Sequence, residues 1–83
     1  MLRAVVFPNP VAEQLTVELS GTQGRDTYLQ LIDLQGRVLT TKSLTTVADG
    51  QQETLFIGGH PAGSYLLRVQ TDRATVAVPV VKQ

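Results

Sequence analysis

The chain is short, electrically neutral and free of cysteine, and these properties exclude several classes of function. Its 83 residues suffice for one domain, and 42% of them are hydrophobic against 17% charged, which is typical of a folded protein. Seven basic and seven acidic residues cancel, so the excess positive charge that binds nucleic acid or an anionic membrane surface is absent. Without cysteine there is no disulfide, thiolate metal site or cysteine nucleophile.

Alternating apolar and polar residues predict β-strands from the beginning of the chain. A first strand is expected over residues 3–7 and ends at Pro8-Asn9-Pro10. This tripeptide is expected to be a stiff bend, because each proline restricts the residue before it to extended conformations. A second strand follows, in which Leu15, Val17 and Leu19 alternate with polar residues and predict one buried face.

A β-hairpin is predicted between residues 28 and 44, where two apolar runs flank the dipeptide Gln35-Gly36. Glycine tolerates the positive φ that tight turns require, which places the turn at this dipeptide. Asp33 and Arg37 lie on either side of it, so we expect their side chains to form an ion pair across the hairpin.

The second half of the chain continues the same pattern. Strands are expected over residues 52–57 and 64–70, with a loop over 58–63 because Gly and Pro are concentrated there. The last strand is expected over residues 74–82. It contains Pro79, which has no N–H to donate, so this strand is predicted to lie at a sheet edge, or Pro79 to point its missing donor outward.

These strands predict an all-β fold. About seven short strands, turns at roughly ten-residue spacing and the lack of helical periodicity are the signal of an immunoglobulin-like antiparallel β-sandwich. Residues 1–83 are expected to form a single domain. No apolar stretch approaches the roughly 20 residues that span a bilayer, so direct membrane insertion is not expected. No signal peptide is visible, so an exported protein would carry its signal on a larger parent chain.

Catalytic chemistry is not predicted. His60 is the only histidine, it lies in a Gly/Pro loop, and metal sites need several converging ligands. The carboxylates fall mostly at turns and outward strand positions, and no serine has a second base for a triad. We therefore expect no enzyme activity, no metal and no cofactor. The four aromatic residues are expected to fill the core, with the Tyr65 hydroxyl on a backbone group. They are Phe7, Tyr28, Phe56 and Tyr65.

Several short motifs occur in a distinctive order. They are Phe7-Pro8-Asn9-Pro10, then residues 31–38 (LIDLQGRV), then residues 61–69 (PAGSYLLRV), and finally Val80-Val81-Lys82. In this order the chain resembles the type A C-terminal sorting domain of the type IX secretion system, and the resemblance extends from Val5 to Gln83. Such domains have an immunoglobulin-like fold, in agreement with the strand pattern.

The resemblance assigns sorting-motif positions residue by residue. They are Pro8, Asn9, Pro10, Asp33, Gly36, Arg37, Gly63, Tyr65, Val80, Val81 and Lys82. The terminal motif matches only in part, because the family usually has a basic residue before the apolar pair and this chain has Pro79.

The resemblance also implies a function. Such domains end larger secreted proteins of Gram-negative Bacteroidota, which reach the periplasm by the Sec pathway. The type IX translocon and its shuttle proteins then export the cargo across the outer membrane. A sortase-like cell-surface peptidase removes the domain, and the cargo stays on the surface or is released.

Two further expectations concern how the domain would work. The last hairpin, Gly63 to Gln83, is predicted to present a free backbone border on which a partner adds a strand, and an open edge could also support a weak homodimer. The alternative function is a non-catalytic accessory module of a secreted enzyme, which would bind carbohydrate or act as a spacer. Exposed coplanar aromatic rings would favour that alternative.

Overall fold

The computed structural model describes all residues from Met1 to Gln83 as two antiparallel sheets packed face to face. The seven strands are β1 (Arg3–Phe7), β2 (Gln14–Ser20), β3 (Thr27–Asp33), β4 (Val38–Leu44), β5 (Gln51–Phe56), β6 (Gly63–Gln70) and β7 (Thr75–Lys82). One sheet has the order β1-β2-β5 and the other the order β4-β3-β6-β7. This arrangement confirms the predicted immunoglobulin-like sandwich.

The core lies between the two sheets and follows the two-residue period of the sequence. Leu15, Val17 and Leu19 of β2 are fully buried, as predicted, and Leu29 and Leu31 of β3 face them from the other sheet. Each of these side chains contributes about 1.5–3 kcal/mol by leaving water. Fourteen buried residues form one continuous cluster, which also includes Tyr65, Leu67 and Val69 of β6.

The prediction that all four aromatic residues fill the core is confirmed for Tyr65 and wrong for the other three. Phe7, Tyr28 and Phe56 are exposed, the last by 69%. Successive side chains of a strand point to opposite faces, and each of these three residues is next to an inward-facing one, so its own side chain points outward. Phe7 and Phe56 share the outer face of the three-stranded sheet, but β2 lies between their strands, and Tyr28 belongs to the other sheet.

The two sheets are joined along both sides of the sandwich. On one side the Lys42 ammonium of β4 binds the Glu53 carboxylate of β5 at 3.1 Å and the Thr54 carbonyl at 3.2 Å. On the other side β7 is an edge strand, as Pro79 predicted, and the segment between β1 and β2 pairs with its final residues. The structure contains no helix that could cross a bilayer.

Candidate functional site

The residues of the sorting motifs come together at one end of the sandwich. Strand pairing places Asp33 opposite Tyr65, Tyr65 opposite Val80, and Gly63 opposite Lys82. The Pro8-Asn9-Pro10 segment then lies against the outer edge of β7. Positions up to 75 residues apart in the chain therefore form one surface, here called the motif end. It comprises residues 8–11, 33–37, 61–65 and 80–83.

The turn between β3 and β4 is organised by the Asp33 carboxylate. One carboxylate oxygen accepts the Gln35 and Arg37 backbone N–H groups, each at 2.9 Å, and the other accepts the Arg37 Nε–H at 2.7 Å. Hydrogen bonds and the neighbouring guanidinium favour the charged form, so the pKa of Asp33 is lowered, chiefly by the Arg37 backbone N–H. Gly36 has a φ of 86°, which closes the turn. The predicted Asp33–Arg37 ion pair is confirmed.

Arg37 remains available to a partner despite this ion pair. Its side chain is 72% exposed, whereas that of Asp33 is 14% exposed. Only the Nε atom of Arg37 binds Asp33, so the two terminal nitrogens of the guanidinium face solvent. The turn thus holds the Nε atom of Arg37 in place and leaves the terminal N–H donors of the guanidinium pointing outward. This geometry is suited to binding a carboxylate.

The loop before β6 is held against the same end by Tyr65. The Tyr65 ring is buried and its hydroxyl donates a hydrogen bond to the Pro61 carbonyl, as predicted for this residue. The His60 ring lies 6.3 Å from the Tyr65 ring, centroid to centroid. Gly63 has a φ of 148°, a conformation that other residues rarely adopt. Between this loop and the 33–37 turn lies a cleft of about 290 Å³.

The final residues of β7 are paired with the segment that follows β1. The Asn9 side chain accepts the Val81 N–H at 3.1 Å and donates to the Pro79 carbonyl at 3.4 Å. Val11 continues the pairing through its backbone: its N–H donates to Val81 at 2.8 Å and its carbonyl accepts from Gln83 at 2.7 Å. An asparagine amide and one residue of backbone thus act as a short added strand on β7.

This pairing corrects the predicted free border near the final residues. Backbone groups of an edge strand point outward at every second residue. The backbone groups of Val81 point outward, away from β6, so those of Pro79, Ala77 and Thr75 do as well. Pro79 and Val81 are covered by Asn9 and Val11, so only Thr75 and Ala77 have outward N–H and carbonyl groups without a partner in the chain.

Sequence reasoning missed the role of Val11. The residue is fully buried, joins the core cluster and bridges to the end of β7. An isolated apolar residue directly after Pro10, in a segment otherwise polar, was the available signal. The segment also contains two cis peptide bonds, Phe7-Pro8 and Asn9-Pro10. Lys82 is buried too, and its ammonium donates to the Gln83 carbonyl at 3.1 Å.

The motif end has one carboxylate side chain and one exposed guanidinium. The structure contains no group of three or more His, Cys, Asp or Glu side chains that could hold a metal ion. Asp33 is the one Asp or Glu among the residues of the motif end, and both of its carboxylate oxygens are bonded, one to the backbone of the turn and the other to the Arg37 side chain. What the end presents is shape, backbone groups and one exposed guanidinium.

Comparison with known proteins identifies the family of this chain. Residues 5–83 match the model of the family described as secretion system C-terminal sorting domain. The chain belongs to this family. No curated protein matches it. Among solved structures, that of dimeric latent PorU from Porphyromonas gingivalis has a similar fold, with a TM-score of 0.72 and 19% sequence identity. The match covers 99% of this chain and 9% of the PorU chain.

The sorting domain is therefore a C-terminal signal for type IX secretion. Membership in the family implies interaction with the type IX machinery and export to the cell surface or out of the cell. The family consists of sorting signals and is non-catalytic. The match over almost the whole chain thus supports the sorting function rather than the alternative accessory module.

Replacing Asp33 by Asn should change how stability depends on pH. The folded state lowers the pKa of Asp33 below its ordinary value of about 3.9. Its contribution to stability is therefore complete above that value and is lost as pH falls through the folded-state pKa. The unfolding free energy of Asp33→Asn should lie below that of the wild type by a constant amount from about pH 7 to 5, and the gap should shrink below about pH 4.

Denaturant unfolding of both proteins at each pH measures this gap. The pKa of Glu53 is also lowered, by hydrogen bonds from Gln51 and Lys42, so the acid sensitivity of the wild type alone does not isolate Asp33. The difference between the two proteins does isolate it. A gap that stays the same down to pH 2.5, on the order of a unit below the ordinary pKa, would contradict the assignment.

Replacing Gly63 by Ala should destabilise the domain through its backbone. A side chain at a φ of 148° costs at least about 1 kcal/mol, although open space surrounds the position. Gly59 is the matched control because it lies in the same loop, also faces open space, and has no positive φ. We expect a lower midpoint of thermal unfolding for Gly63→Ala than for Gly59→Ala. Equal midpoints would show that backbone conformation at Gly63 is unimportant.

Proposed function

We propose that the type IX machinery recognises the sorting domain at its motif end, using the residues assigned from the family motifs. The observation that carries the proposal is their convergence: four stretches distributed along the chain lie side by side across one end of the four-stranded sheet. Several of these residues also stabilise the fold, but stability alone does not require them to lie at one end, because the core extends along the whole sandwich. A single recognition surface would explain why the motifs lie where they do.

The proposed domain is a passive signal. Residues 1–83 act as one unit at the C-terminus of a larger exported protein, and the unit has no catalytic activity of its own. Its polar motif side chains are engaged in fixed hydrogen bonds, as the Asp33 and Asn9 contacts show. Groups held in this way preorganise a surface, which reduces the entropic cost of binding.

The proposed route has three steps. The parent protein passes through the periplasm, the translocon and its shuttle proteins bind the motif end, and a sortase-like peptidase at the cell surface removes the domain after export. The open backbone groups of Thr75 and Ala77 are the one place on β7 where a partner could add a strand. So short an edge would support at most a weak homodimer.

Export of a reporter fused to the domain tests this proposal. Arg37→Ala should lower the exported fraction about tenfold, because a charge-assisted contact at a binding surface is commonly worth that factor. Deletion of residues 74–83 should abolish export, because it removes the strand that carries the terminal motif. Arg73→Ala is the matched control, since Arg73 is also exposed but lies in the loop at the opposite end.

The measured quantity is the fraction of reporter outside the cell or on its surface, relative to total reporter. Thermal unfolding of the purified Arg37→Ala and Arg73→Ala domains shows that both fold. Normal export of the deletion, or equal export of Arg37→Ala and Arg73→Ala, would contradict recognition at the motif end.

A further inference from the structure

An apolar row crosses the outer face of the four-stranded sheet beside the motif end. Strand pairing places Ile32 next to Val38 on one side and next to Leu66 on the other, and Leu66 next to Pro79. The four side chains therefore stand in one line across β4, β3, β6 and β7. Val81 lies two residues further along β7 on the same face and is 45% exposed.

This row is not part of the core. Ile32 is 8% exposed, yet it is the one buried hydrophobic residue outside the core cluster, because Leu31 beside it points inward. Val38 is 47% exposed, Leu66 is half-buried and Pro79 is exposed. Polar residues are expected on the outward face of a strand that meets water. An unbroken apolar line across all four strands departs from that pattern and indicates a contact surface.

The charged side chains that border the row are two arginines and one aspartate. Arg37 precedes Val38, and Arg68 stands beside Leu66 on the same face with its guanidinium held by the Gln30 side chain. Within the Asp33–Arg37 pair the carboxylate is 14% exposed and the guanidinium 72%, so the charge accessible to a partner is the positive one. The remaining acidic residues belong to the three-stranded sheet and its flanking segments or to the opposite end: Glu13, Glu18, Asp26, Asp49, Glu53 and Asp72. In a neutral chain, this local positive border is complementary to an apolar partner with carboxylates.

We propose that this row, Val38, Ile32, Leu66, Pro79 and Val81, is a docking surface for an apolar, carboxylate-flanked protein surface of the secretion machinery. The proposal rests on the proposed function and extends the recognition surface from the motif end onto the sheet, since the row adjoins the 33–37 turn directly. Five partly exposed side chains cannot supply the roughly 800 Å² that each partner buries in a stable interface, so a second copy of the domain would not be held by this row alone. A transient contact suits a signal that must be released.

The test compares two valines of equal exposure in the reporter fusion. Val38 is 47% exposed on the edge strand β4, and Val5 is 48% exposed on the edge strand β1, on the outer face of the other sheet. Val38→Glu should lower the exported fraction about tenfold, because it places a charge in a contact that excludes water. Val5→Glu should leave export unchanged. Val38→Thr and Val5→Thr keep the branched shape, and only the former should reduce export, by about threefold.

Thermal unfolding of each purified variant shows whether it folds. If Val38→Glu does not fold, the comparison of Val38→Thr with Val5→Thr tests the docking surface instead. Unchanged export of Val38→Thr, or equal losses at positions 38 and 5, would overturn the docking surface. The proposal would also be overturned if the purified domain sedimented with phosphatidylcholine vesicles containing phosphatidylglycerol and Val38→Thr abolished that sedimentation. A membrane would then be the occupant of the row. A dimer in sedimentation equilibrium that Val38→Thr dissolves would assign the row to a second copy.

The same export assay distinguishes the proposed docking row from the proposed recognition at the motif end. If Arg37→Ala blocks export and Val38→Glu does not, recognition at the motif end stands and the docking row is wrong. If Arg37→Ala and the 74–83 deletion are both exported normally, the proposed function itself fails.

Discussion

The pairing of residues 9–11 with the end of β7 is the interaction on which the rest of this surface depends. The last strand of a chain would otherwise leave a row of unpaired backbone groups and a terminus free to fray. The Asn9 amide and the Val11 backbone occupy four of these groups, from Pro79 to Gln83. Val80 pairs with Tyr65 and Tyr65 with Asp33, so residues 9–11 complete a row of motif positions whose order the register of β3, β6 and β7 sets.

This arrangement gives the motif residues a physical role before any partner is considered. Asp33 closes a turn, Gly63 supplies a backbone conformation, Tyr65 holds a loop and Asn9 covers an edge. Each of these residues shapes the surface, and Arg37 beside them presents the terminal donors of its guanidinium to solvent. A partner would therefore recognise mainly a shape that these residues produce together. Such a signal can be attached to unrelated cargo, because its structure comes from its own residues.

The sequence predicted those parts of the structure that depend on local patterns. Seven strands, the hairpin turn at Gly36, the Asp33–Arg37 pair and the edge position of β7 all follow from alternation, glycine or proline. The core positions predicted for Phe7, Tyr28 and Phe56 were wrong, because strand parity and not side-chain size decides which face a residue occupies. The bridge from Val11 to Lys82 of β7 was missed because the two residues are 71 positions apart, and no periodicity encodes such a contact. The apolar row has the same origin, since it appears only when four strands are placed in register.

Amide hydrogen exchange of the intact domain tests this central claim most directly. The amides of Val81 and Gln83 are bonded to Asn9 and Val11, whereas those of Thr75 and Ala77 point outward on the same strand without a partner. We expect slow exchange at Val81 and Gln83 and fast exchange at Thr75 and Ala77. If all four amides exchanged equally fast, the end of β7 would be an open border, and the surface described above would lack the interaction that holds it together.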